Sequence, residues 1–175
     1  MTQATRLIAR IALFSALIYV LSWSTALLPN VNFAFLIAFA AGYLWGAVPG
    51  ILVGGVGMWL WTSFNPYGQA APPIAVVQVI GLAACGLIGF LNRRLIGDSK
   101  TVRARWALLL AALLCTLAFY LPVSLVDAWL FQPFWPRLIT GLSFMGISLV
   151  ANLILFPLSL ALILQIRKRE RMVQW

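Results

Sequence analysis

Residues 33 to 64 run for 32 positions without one charged side chain. A helix crosses the roughly 30 Å hydrocarbon core of a bilayer with about 20 apolar residues, so this run is too long for one ordinary span. Pro49-Gly50, a turn signal near its middle, divides it into two short helices at about 33–48 and 50–64. Further apolar runs cover residues 7–28, 74–92, 106–126 and 138–166. The chain therefore reads as all-α: an integral membrane bundle of six transmembrane helices in a single domain over residues 1–175, with no soluble domain of any size.

Charge placement favours this division. The twelve basic residues fall in three clusters, Arg6 and Arg10, Arg93 to Arg105, and Arg167 to Arg171, with only Arg137 elsewhere. Six spans with both termini inside put eleven of the twelve on the inner side; five spans leave Arg6, Arg10 and Arg137 outside at best. Loops on the cytoplasmic side carry the excess of Lys and Arg, so cytoplasmic N and C termini are expected, with the five-span arrangement as the alternative. The first run also has the outline of a secretory signal, with basic residues before it and small residues near its end. At 22 residues it exceeds the roughly 7–15 of a signal's apolar segment, and it is read as a span.

Composition narrows the chemistry. Hydrophobic residues make up 63% of the chain and charged residues 9%, against about 45–50% and 25% in a soluble domain. There is no histidine, and Asp98, Asp127 and Glu170 are the only acids. That disfavours His-based triads, histidine metal sites and paired-carboxylate catalysis, so neither an enzyme nor a cofactor is expected. The net charge of +9 borders apolar runs instead of alternating with aromatics on a polar surface, which argues against nucleic acid. Cys85 and Cys115 lie inside apolar runs without CxxC spacing and read as buried free thiols. No Gly-x-x-x-x-Gly-Lys motif is present, so any energy source lies in a partner or an ion gradient.

Polar side chains are costly in lipid, which makes their positions informative. In the six-span reading three short connections face outwards, Pro29 to Asn32, Ser63 to Pro73 and Asp127 to Arg137. They bring Asn30, Asn32, Asn65, Tyr67, Gln69, Asp127, Gln132 and Arg137 to one end, with Gln78 about one turn into the next helix. Trp23, Trp59, Trp61, Trp129 and Trp135, five of the eight tryptophans, map to the same outer third. An aromatic belt with ordinary solvated loops, and Asp127 paired to Arg137, accounts for some of this. The asymmetry favours a ligand pocket that opens outwards, with aromatic faces for stacking and amides for orientation. The loop from Ser63 to Pro73 is either a rigid cap over such a pocket or a plain connector.

Gly42, Gly46, Gly50 and Gly54 recur every four residues, with Gly57 beyond. Small residues at this spacing let helix backbones approach closely in lipid. Ala12 and Ala16 form a weaker pair of the same kind, and Asn152, in mid-helix, is expected to hydrogen-bond a neighbour.

Together these features resemble the substrate-binding S components of energy-coupling factor (ECF) transporters. The segment Arg10-Ile-Ala-Leu-Phe-Ser-Ala-Leu-Ile-Tyr-Val-Leu-Ser is similar to the first helix of that family. The glycine-rich 42–57 stretch and the Asn65-Pro66-Tyr67-Gly68 loop carry the likeness further. The resemblance implies a subunit of a bacterial or archaeal cytoplasmic (inner) membrane that binds a vitamin or related micronutrient with high affinity. It also implies docking on a transmembrane T subunit with two ATPases, followed by toppling to release the substrate inwards. On that carry-over Ala12 and Ala16 are the docking contacts, and Trp59, Asn65, Tyr67, Gln78, Asp127 and Trp135 line the substrate site. Aromatics with few charges suit a flat heteroaromatic ligand better than one rich in carboxylates; riboflavin, thiamine and a tetrapyrrole-type compound stay open. The competing reading is a small six-span membrane scaffold or complex-assembly protein with no small-molecule ligand.

Overall fold

The computed structural model describes residues 2–28, 30–98 and 100–173, with side chains to residue 170. Pro29, at the start of the first expected outer connection, and the side chain of Arg171 lie outside the described residues. Among those described there are seven helices and no strand: α1 Gln3–Ser24, α2 Ala34–Trp45, α3 Ala47–Phe64, α4 Pro72–Leu91, α5 Arg93–Ile96, α6 Val102–Leu130 and α7 Phe134–Val173. Helices α1, α3, α4, α6 and α7 are each long and apolar enough to cross a membrane. The 12-residue α2 is not: at 1.5 Å per residue it covers about 18 Å. It is nearly all buried, and it packs as the inner member of a membrane helix bundle.

The division of the long apolar run is real, but its position differs from the expected one. The chain turns at Gly46, whose φ of 112° lies where only glycine sits without strain. Pro49 falls in the first turn of α3, where its missing N–H has no intrahelical partner to lose. Helix limits differ too. Helix α6 starts four residues before its expected limit, with the Thr101 hydroxyl accepting from the Ala104 amide at 3.1 Å, and α7 runs on into the basic tail. Lys, Arg and Glu are good helix formers, so charge marks the edge of the membrane without ending the helix.

Helices α2, α3 and α4 meet through glycine. A Cβ at Gly42 would overlap the Gly86 carbonyl, one at Gly86 the Gly50 backbone, and one at Gly89 the Phe39 carbonyl; one at Gly50 would stand 2.6 Å from the Cα of Gly42. The expected stripe, with Gly42 on α2 and Gly50 on α3, is thus half of the contact. Gly86 and Gly89 of α4 supply the other half, and Gly46 serves the turn.

The termini share one end of the bundle. Arg10 of α1 pairs with Glu170 of α7 and lies over the Trp45 ring at 5.7 Å. Arg167 reaches Asp98 at 2.9 Å, the Gly97 carbonyl at 3.1 Å and the Tyr43 hydroxyl, which itself donates to Gly97. Arg93 donates to the Leu44 carbonyl at 3.4 Å. These contacts gather the basic clusters at one end and leave Arg137 at the other.

Candidate functional site

At the end opposite the termini, the short α2 falls well below the reach of its longer neighbours. Above its first turn lies a cavity of about 1120 Å³, lined from α1, α2, α3, α4, α6, α7 and the connections between them. Drug-sized ligand sites run to about 300–1,000 Å³, so this one is roomy for a small molecule.

The connections around the cavity are tied down by neutral hydrogen bonds. Asn32 Oδ1 accepts from the Ser22 hydroxyl at 3.1 Å and from the Ala34 amide at 2.8 Å, which closes the start of α2. Asn30 has a left-handed φ of 56°, a conformation asparagine tolerates better than most side chains. Its Oδ1 accepts from the Tyr120 hydroxyl at 2.9 Å. The Tyr67 hydroxyl donates to the Ala26 carbonyl and joins the α3–α4 loop to the α1–α2 connection.

The floor is aromatic. Phe35 meets Phe119 edge to face at 5.2 Å and lies nearly parallel to Tyr120 at 6.0 Å. Trp61 stands on one wall, edge to face with both Trp23 and Tyr67 at 6.5 Å. Uncharged polar groups, Gln78, Ser124 and Thr140 among them, complete the lining with the Asp127–Arg137 pair. Such a site can hold a flat aromatic ring by stacking and read its edge through amides and hydroxyls.

Of the residues expected at the site, the structure brings Tyr67, Gln78 and Asp127 together as lining and leaves Trp59, Asn65 and Trp135 outside the lining set. Trp59 and Trp135 are exposed on the bundle's outside. Asn65 ends α3 instead: its Nδ2 donates to the Trp61 carbonyl at 3.0 Å and its Oδ1 accepts from the Tyr67 amide at 2.9 Å. It shapes the loop that carries Tyr67 to the α1–α2 connection. Phe35, Trp61, Phe119 and Tyr120 were not expected at the site. A signal for Trp61 existed, since it follows Gly54 and Gly57 at helical spacing on the inward face of α3, while Trp59 points away.

Ala12 and Ala16 are exposed on α1, whereas Ser15, Ile18 and Ser22 face the bundle. Asn152 is buried and donates to Thr116 Oγ1 at 3.0 Å and Ser148 Oγ at 3.5 Å, well below the cavity lining. Cys85 and Cys115 are buried free thiols on facing helices, Cys85 Sγ lying 3.6 Å from the Cys115 carbonyl.

A family model described as the S component of an ECF-type riboflavin transporter matches residues 2–168. No curated protein and no solved structure matches the chain.

Proposed function

The chain belongs to the family of ECF-type riboflavin transporter S components, and from that premise we propose that its cavity is the binding site for riboflavin or a close flavin relative. The observation that carries the reading is the cavity itself: an aromatic floor of Phe35, Phe119 and Tyr120 under polar walls whose two charged residues, Asp127 and Arg137, pair with each other. Riboflavin offers a flat heteroaromatic ring to stack and a polyol chain to hydrogen-bond, and it is neutral. On this reading Tyr67, Gln78 and Asp127 contact the ligand, and Asn65 acts by placing Tyr67.

The remaining parts of the proposal concern orientation and partners. The basic end faces the cytoplasm of a bacterial or archaeal cell, as the concentration of Lys and Arg there favours, so the cavity opens outwards. Release inwards requires energy, and a T subunit with two ATPases provides it, as the family implies. The exposed small-residue face of α1, with Ala12 and Ala16, is the docking surface, since small side chains let a partner helix approach closely.

Titration of the detergent-purified protein with riboflavin tests the binding. Saturable quenching of flavin fluorescence near one ligand per chain is expected. Failure to saturate with riboflavin would overturn the reading and return weight to a ligand-free scaffold. Leucine at both Ala12 and Ala16 is expected to abolish co-purification with a T subunit while riboflavin binding is unchanged; intact assembly would remove α1 as the docking face.

A further inference from the structure

Among the described residues that line the cavity, only two carry charge, and their charges cancel. Asp127 lies in the last turn of α6 and Arg137 in the first turn of α7. Arg137 Nη1 stands 3.1 Å from Asp127 Oδ2 and 3.4 Å from Oδ1. The guanidinium also lies over the Phe131 ring at 5.2 Å. The side chains are 43% and 35% exposed for Arg137 and Asp127, so a ligand can reach both. Because the two side-chain hydrogen bonds share Nη1, Nη2 and Nε are left to donate elsewhere.

We propose that Asp127 is a specificity-determining residue that reserves the cavity for an uncharged polyol-bearing ligand and turns away its phosphate ester. The proposal rests on the flavin reading above. A phosphate monoester carries about −1.5 to −2 charges near neutral pH, and a guanidinium is its natural bidentate partner. Here Asp127 holds that guanidinium, and its carboxylate repels any second anion brought to the same nitrogens. To enter, a phosphate must either displace the carboxylate or sit beside it. A hydroxyl meets no such barrier, since it donates to Asp127 and accepts from Arg137 in turn. The pair therefore suits a chain of hydroxyls, and the neutral side chains of Gln78, Ser124 and Thr140 leave no second cation in the lining to rescue an anion.

A mere staple between α6 and α7 would behave differently. Loosening a staple weakens all ligands alike, whereas a specificity residue moves the ratio between two ligands. The test is the dissociation constant of the full-length protein for riboflavin and for riboflavin 5′-phosphate, by flavin fluorescence at about pH 8, where the ester is a dianion. The unaltered protein is expected to prefer riboflavin by about tenfold or more, and Asp127→Asn to reduce that preference by about fivefold, the upper end for a partly exposed charge contact. Arg137→Gln is expected to widen the preference. Equal affinities in the unaltered protein, or an unchanged ratio in Asp127→Asn, would overturn the proposal while leaving the flavin reading intact. No riboflavin binding by the unaltered protein would overturn the flavin reading, and this proposal with it. A second measurement needs no variant: raising salt from about 50 to 500 mM screens the repulsion and is expected to narrow the preference several-fold. A salt-independent ratio counts against Asp127 even if the variants do not fold.

Discussion

At the basic end, the carbonyl of Gly97 receives hydrogen bonds from both Tyr43 and Arg167, and Arg167 is held in turn by Asp98. At the cavity end the comparable contacts are Tyr120 to Asn30 and Tyr67 to Ala26, neutral groups around about 1120 Å³ of space. The first end is fixed by charge and close packing. The second, apart from the Asp127–Arg137 pair, is joined by neutral hydrogen bonds around open space. On the proposed binding reading, the close-packed basic end stays in place while a ligand engages the cavity end.

The glycine contact beneath the cavity is the strongest test of that rigidity. Gly86→Leu is expected to cause the largest effect, with little monodisperse protein recovered from detergent. Even a Cβ overlaps the Gly50 backbone, and overpacking without room to relax costs about 1–3 kcal/mol or more. Gly146→Ala is the control: nothing lies within 4 Å of its Cβ position, and its thermal stability is expected to match the unaltered protein. Comparable recovery of the two variants in size-exclusion profiles would break the picture of a glycine-closed floor.

Arg167→Gln comes next. The side chain is only 14% exposed, and its loss removes hydrogen bonds from a charged donor, each worth about 1.5–3 kcal/mol. Tyr43 keeps its own bond to Gly97, so a net loss of about 2 kcal/mol is expected. The thermal midpoint should fall, with riboflavin affinity within about twofold, since 1.4 kcal/mol marks a factor of ten. A variant that instead lost affinity at constant stability would show that the two ends are coupled.

How much of this was legible in the sequence depends on the kind of constraint. Apolar runs and basic clusters gave the helical membrane bundle, because the bilayer acts on every residue of a span at once. The turn was placed three residues too far along, at Pro49-Gly50, because proline in a first turn and proline in a break look alike from the sequence. The glycine stripe of α2 and α3 was visible, but its partners Gly86 and Gly89 were not, since contact across helices leaves no local pattern. The cavity lining was legible where polar residues stand at the ends of apolar runs: Tyr67 in the α3–α4 loop, Gln78 early in α4 and Asp127 in the last turn of α6. Its floor was hidden because Phe35, Phe119 and Tyr120 read as core residues, and Phe35 and Phe119 are indeed mostly buried beneath the cavity they line.

The two tryptophans near the end of α3 sharpen the comparison at its finest scale. They are two residues apart, which sets them on nearly opposite faces of a helix. Trp61 lines the cavity, and Trp59 is 56% exposed on the outside of the bundle. Trp61→Ala is expected to weaken riboflavin by about tenfold, an aromatic contact being worth about 0.5–1.5 kcal/mol beyond the area it buries. Trp59→Ala should leave the dissociation constant within about twofold, because a membrane-facing ring contributes to anchoring and not to the site. The same pair of titrations decides between belt and pocket. Equal losses would mean that both rings act through the helix, and a larger loss from Trp59 would move the binding site to the other face of α3.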